Sequence, residues 1–136
     1  MPSSPDEESR YYALPDVLVI DDNPTQLCVR EAVLKGAGLS VLTADSAERA
    51  LQLLRDDSAT DGLRVILTDH VLPGASGDAF VRELREFSPS VPVLVISGMD
   101  EAEQAYAGLE ITFLHKPCAP EDLIAQVRAA LKISGQ

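Results

Sequence analysis

The side chains able to do chemistry stand where short apolar runs stop. Asp21 and Asp22 follow Val17-Leu18-Val19-Ile20, and Asp69 follows Val65-Ile66-Leu67-Thr68. Ser97 follows Pro92-Val93-Leu94-Val95-Ile96, and Lys116 with Pro117 follows Ile111-Thr112-Phe113-Leu114-His115. Carboxylates packed together repel one another unless a cation sits among them. Hard oxygen donors without Cys or His suit Mg²⁺, with Mn²⁺ as the alternative. A lysine and a hydroxyl beside that ion would hold an anion, so a phosphoryl group bound next to Mg²⁺ fits both halves of the set. Taken singly, Asp21 or Asp22 is an ordinary N-cap beside a helix dipole, and Lys116 an ordinary surface lysine. Together, at successive strand ends, they read as a site.

The elements that must position them follow from the pattern. The apolar runs lack strict alternation and are rich in β-branched residues, as in strands buried on both faces. From residue 17 onward strand and helix alternate, which predicts a doubly wound α/β fold whose ligands sit outside the carboxyl ends of the strands. Asn23 as N-cap with Pro24 behind it starts a first helix running to about Lys35, ahead of Gly36 and Gly38. A short strand is expected at Ser40 to Thr43, then a helix over about 46–57 with an Asp45/Glu48 capping box. A third helix over about 77–87 follows the Gly74 to Gly77 loop, and Asp100 with Glu103 caps a short fourth that ends near Gly108. Pro120 opens the last helix, with Leu123, Val127 and Leu131 on one stripe. The expectation is five strands and five helices.

The motifs VLVIDDN, ILTDHVLPGASG, VLVISG and FLHKP, in that order, resemble the receiver domain of two-component response regulators, part of the CheY-like superfamily. The resemblance spans roughly residues 15 to 133. It implies a flavodoxin-like parallel sheet of order 2-1-3-4-5, with Asp69 as phosphoacceptor. Asp22 would then be a direct Mg²⁺ ligand, Asp21 the holder of a metal-bound water, and the backbone carbonyl of Val71 the last protein ligand beside Asp69. It implies that Lys116 pairs with phosphoryl oxygens, that the Lys116–Pro117 bond is cis, and that Ser97 and Phe113 are the switch residues. Phe113 has no hydroxyl where family members often carry Tyr, so its switching would depend on packing alone. His70 is expected to be an exposed loop imidazole. Val71 and Gly98 would flank the phosphoryl group without orienting water, which implies slow hydrolysis.

Residues 1–15 hold three prolines, three serines and an acidic run, and read as a disordered lead-in rather than a signal peptide or a membrane span. The receiver domain is expected over 16–133, with a tail at 134–136 and no output domain. The net charge is −11, of which residues 1–15 carry −2, so the folded part is strongly acidic. That argues against direct nucleic-acid binding, which needs a basic footprint. Cys28 and Cys118 have no metal-ligand spacing and read as reduced thiols of a cytoplasmic protein. The implied partner is a histidine kinase or a histidine-phosphotransfer protein. The chain would catalyse only its own phosphorylation and dephosphorylation, as a monomer or weak dimer. The segment from Asp100 to Glu110 has four carboxylates and no Lys or Arg, which opposes dimerisation through it. A stripe of Val29, Val33 and Ala37 toward the sheet would leave Leu27 and Leu34 outward as an apolar docking face. Two alternatives are a small phosphatase using an aspartyl-phosphate, opposed by the adjacency of Asp21 and Asp22, and a non-phosphorylated binding module that keeps only the fold.

Overall fold

The computed structural model describes residues 16–55, 63–72, 74–87, 90–98 and 100–134. The expected lead-in at 1–15 and the last two residues lie outside them. Five parallel strands form the sheet: β1 (Val17–Ile20), β2 (Val41–Ala44), β3 (Val65–Asp69), β6 (Val93–Ser97) and β7 (Thr112–His115), in the order β2-β1-β3-β6-β7. Counting these five alone, that is the 2-1-3-4-5 order expected. Two more, β4 (Val71–Leu72) and β5 (Ala75–Ser76), make a small antiparallel hairpin where the sequence suggested only a loop.

The continuous apolar runs of β1, β3 and β6 have a direct cause, because both faces of the sheet are covered. On one face Leu18, Ile20, Ile66, Val93 and Val95 pack with Ala50, Leu51, Phe80, Val81 and Leu84. These come from α2 (Ala47–Arg55) and α3 (Gly77–Phe87). On the other face Val17, Val19, Val65, Leu67, Leu94 and Ile96 pack with Leu34, Leu123, Val127 and Leu131. Those belong to α1 (Pro24–Gly36) and α4 (Pro120–Ser134). Each such side chain removed from water is worth about 1.5–3 kcal/mol. The centre of the sheet is therefore its firmest part.

The helix boundaries follow local chemistry. Asn23 caps α1, its side chain accepting from the Gln26 N–H at 3.1 Å, and Pro24 takes the first turn where its missing donor costs nothing. At the far end Gly38, at φ +90, donates to the Lys35 carbonyl and turns the chain toward β2. The cap of α2 is not Asp45 but Ser46, whose Oγ accepts from the Arg49 N–H at 3.0 Å. Both residues are good caps, and the choice is made by where the chain leaves β2. The expected end of α2 near residue 57 lies outside the described residues. The expected fourth helix is a 3-10 helix, Asp100–Tyr106, ended by Gly108 at φ +81. The last helix continues through Ser134, so the tail expected from that residue is helical at its start.

One expectation about α1 is wrong. Leu34 is wholly buried and Leu27 is partly buried against the same core, while Val29 is 53% exposed. The apolar stripe at 29, 33 and 37 and the pair at 27 and 34 were distinguishable only by size, and the larger leucines take the sheet side. A docking face built on Leu27 and Leu34 is therefore excluded.

Candidate functional site

Parallel register fixes which strand ends meet. Ile20 lies opposite Thr68, so one residue further on Asp21 stands level with Asp69. Asp69 lies opposite Ile96, which brings Ser97 just beyond it, and Ser97 lies opposite His115, which brings Lys116 to the same rim. Asp21, Asp22 and Asp69 offer carboxylate oxygens that all lie within 4.8 Å of one another. Asp21 and Asp69 are buried and Asp22 is exposed. The Lys116 Nζ is 3.0 Å from Asp69 Oδ1. Its strand is anchored by the Lys116 N–H donating to the Ser97 carbonyl at 2.9 Å, and the Lys116–Pro117 bond is cis, as expected.

Three negative groups this close need cations. Lys116 serves Asp69, and Arg30 from α1 serves Asp21, with Nη1 2.5 Å from Oδ2. Arg30 also donates to Gln26 Oε1 at 3.1 Å, one turn earlier on the same helix. Asp21 is 1% exposed, and burial raises its carboxyl above the ordinary carboxylate range. The Asn23 N–H at 2.9 Å and Arg30 pull the other way, and Asp69 adds to the rise. The donor set of all-oxygen carboxylates, one of them facing solvent, fits a hard divalent cation such as Mg²⁺. Val71, whose carbonyl was expected to join them, sits in the hairpin two residues past Asp69, opposite Ser76, with its side chain 59% exposed. Gly98 is exposed on the other side, at the end of β6.

Ser97 is buried at 2% exposure, and Phe113 is half-buried on the edge strand. His70 is not the exposed loop residue expected. Its Nδ1 lies 2.6 Å from the hydroxyl of Tyr106, and the two rings meet edge to face at 5.5 Å. Tyr106 in turn packs on Phe113 at 6.0 Å, and Phe113 on His115 at 5.1 Å. Sequence reading missed both Tyr106 and Arg30. The spacing of Gln26 and Arg30 at i, i+4 was the one available signal for the arginine. Nothing local marks Tyr106, which is 36 residues from its partner. Among the described residues both cysteines are free, Cys28 exposed and Cys118 half-buried with its thiol pushed up by burial. No helix among them is long and apolar enough to cross a membrane.

Comparison with known proteins agrees with this geometry. Residues 17–128 match the family model described as the response regulator receiver domain. The transcriptional regulatory protein YkoG of Bacillus subtilis (strain 168) is 30% identical over 122 residues, covering 88% of this chain and 52% of that protein. The hydrogenase transcriptional regulatory protein HoxA of Cupriavidus necator is 35% identical over 124 residues, 88% of this chain and 24% of its own. The chain thus spans about half or less of these curated relatives. A response regulator receiver domain protein from Clostridium thermocellum superposes with a TM-score of 0.81 at 29% identity, covering 90% of this chain and 98% of that one. The matched span takes in both acidic strand ends, Ser97 and Lys116, and the chain belongs to the receiver domain family of two-component response regulators.

Proposed function

We propose that Asp69 accepts a phosphoryl group from a phosphohistidine on a histidine kinase or histidine-phosphotransfer protein. In that reaction the P–N bond to the donor breaks and a P–O bond to the Asp69 carboxylate forms, with the attacking and leaving atoms in line. The observation that carries this reading is the cluster itself, three carboxylates within 4.8 Å of one another with Lys116 at 3.0 Å from Asp69. Bound Mg²⁺, or Mn²⁺ in its place, would supply positive charge against the carboxylates and the incoming phosphoryl oxygens. Asp21, Asp22 and Asp69 would hold it, with the Val71 carbonyl as a further ligand. Lys116 would follow the phosphoryl oxygens as a point charge, exchanging its present partner for the new dianion. The Ser97 hydroxyl would turn to the same group, and Phe113 would respond through packing. Neither Val71 nor Gly98 has a group that positions water, so the aspartyl-phosphate should be long-lived.

Incubation with acetyl phosphate, with and without Mg²⁺, tests the assignment. Labelling should require Mg²⁺, vanish in Asp69→Asn, and decay slowly in a chase. Labelling that survives Asp69→Asn or EDTA refutes it. One observation favours the rival reading of a receiver that binds partners without phosphorylation. Arg30 already neutralises Asp21, one of the three carboxylates. A chain that neither labels nor binds Mg²⁺ would be that module.

A further inference from the structure

The pair formed by His70 and Tyr106 belongs neither to the acidic cluster nor to the apolar core alone. Tyr106 is 3% exposed on the 3-10 helix, yet its hydroxyl is aimed at the residue that follows Asp69. Burial pushes the Tyr106 phenol far above its ordinary pKa, with Asp78 and Asp69 adding to the rise. The hydroxyl therefore keeps its proton, and it shares a hydrogen bond with His70 Nδ1 whose donor is set by the imidazole tautomer. The space for it exists because residue 77 is glycine. A Cβ there would collide with the Tyr106 hydroxyl and press on the backbone of His70 and Asp69. His70 is itself held by its backbone, its N–H donating to the Ile96 carbonyl at 2.9 Å and its carbonyl accepting from the Gly77 N–H at 2.7 Å. The other side of the Tyr106 ring packs on Phe113 of β7.

One side chain thus ties the residue next to Asp69 to the 3-10 helix and to the edge strand. We propose that the Tyr106–His70 hydrogen bond is a latch of the unmodified state, holding the 3-10 helix and β7 in their resting arrangement until Asp69 is modified. It rests on the reading of Asp69 as phosphoacceptor. Phe113 has no hydroxyl with which to change partners, whereas Tyr106 beside it carries one that already reaches the residue after Asp69. A single hydrogen bond suits the task, being strong enough to bias two arrangements and weak enough to be broken by a new dianion a residue away. By linkage, an interaction present only in the resting form must weaken every ligand that favours the other form.

The experiment uses the full chain, with beryllofluoride and Mg²⁺ as the probe in place of the phosphoryl group. Tyr106→Phe keeps the ring and its packing and removes only the hydroxyl. It should bind beryllofluoride about two- to tenfold more tightly, the worth of one typical hydrogen bond. His70→Leu should do the same from the other end, and the double variant should gain no more than either single one. In unliganded Tyr106→Phe, backbone amide resonances of 100–115 should already be displaced toward their positions in the beryllofluoride-bound wild type. A merely structural role would lower stability without that displacement. Unchanged or weaker binding, or additive gains in the double variant, overturns the latch while leaving the phosphoacceptor standing. A wild type that does not bind beryllofluoride overturns both.

Discussion

The centre of the sheet and its β7 edge are built on different principles, although both contribute to one rim. In β1 and β3 every residue is buried, and strand register brings Asp21 level with Asp69. In β7 the pattern is exposed, half-buried, half-buried, exposed, and among the described residues β6 is its one strand neighbour. The chain leading into that edge is held by side chains from elsewhere. Arg82 donates to the Ala105 carbonyl at 2.8 Å, and Arg85 donates to the carbonyls of Val91, Leu109 and Glu110 at 2.6, 3.3 and 3.2 Å. Glu110, at φ 53, takes a left-handed backbone that a non-glycine residue adopts at a cost, and the Arg85 contact fixes its carbonyl. A buried centre keeps the acidic rim in place, and a pinned edge can be moved cheaply. Local opening starts where buried apolar contacts are few.

The largest effect expected from breaking this contrast is in the centre. Leu67→Ala empties a wholly buried position and should cost about 2–5 kcal/mol in urea denaturation. Thr112→Ala on the exposed start of β7 should stay within about 0.5 kcal/mol. Equal losses would mean that the edge is as tightly built as the middle.

Arg85→Met should be intermediate, at about 1.5–3 kcal/mol for charge-assisted bonds to three carbonyls. Its signature is local: amide exchange should speed up over 105–112 while β1 and β3 keep their protection. The guanidinium is partly desolvated, which lowers its pKa, while Glu110 raises it. Loss of protection spread evenly across the sheet would show that Arg85 supports the whole fold rather than the edge.

The smallest effect is a slope against pH. Because burial raises the Asp21 carboxyl in the folded chain, the folded state holds that proton more tightly than the unfolded one. The contribution is present at low pH and is lost as pH rises from the ordinary carboxylate range through the raised folded value, then stays level. Without Mg²⁺, Asp21→Asn should remove that part of the decline. Identical slopes in the two proteins would mean that Arg30 and the Asn23 N–H fully offset burial.

The sequence by itself determined the parallel α/β fold and the candidate rim residues, while the strand order came with the resemblance to the receiver family. Apolar runs of both-face burial, caps such as Asn23-Pro24 and polar residues at strand ends are local signals, and register then aligns Asp21 with Asp69 without further information. It determined less wherever two local choices were nearly equal in energy. Ser46 rather than Asp45 caps α2, a 3-10 helix replaces an α-helix at 100–106, and Leu34 rather than Val29 faces the sheet. Each of these was settled by packing, which a short window of sequence does not contain. The contacts that join distant segments belong only to the tertiary structure. Tyr106 meets His70 across 36 residues, and Arg85 meets Glu110 across 25. No local periodicity encodes them, because they depend on where the 3-10 helix comes to rest against α3 and the end of β3.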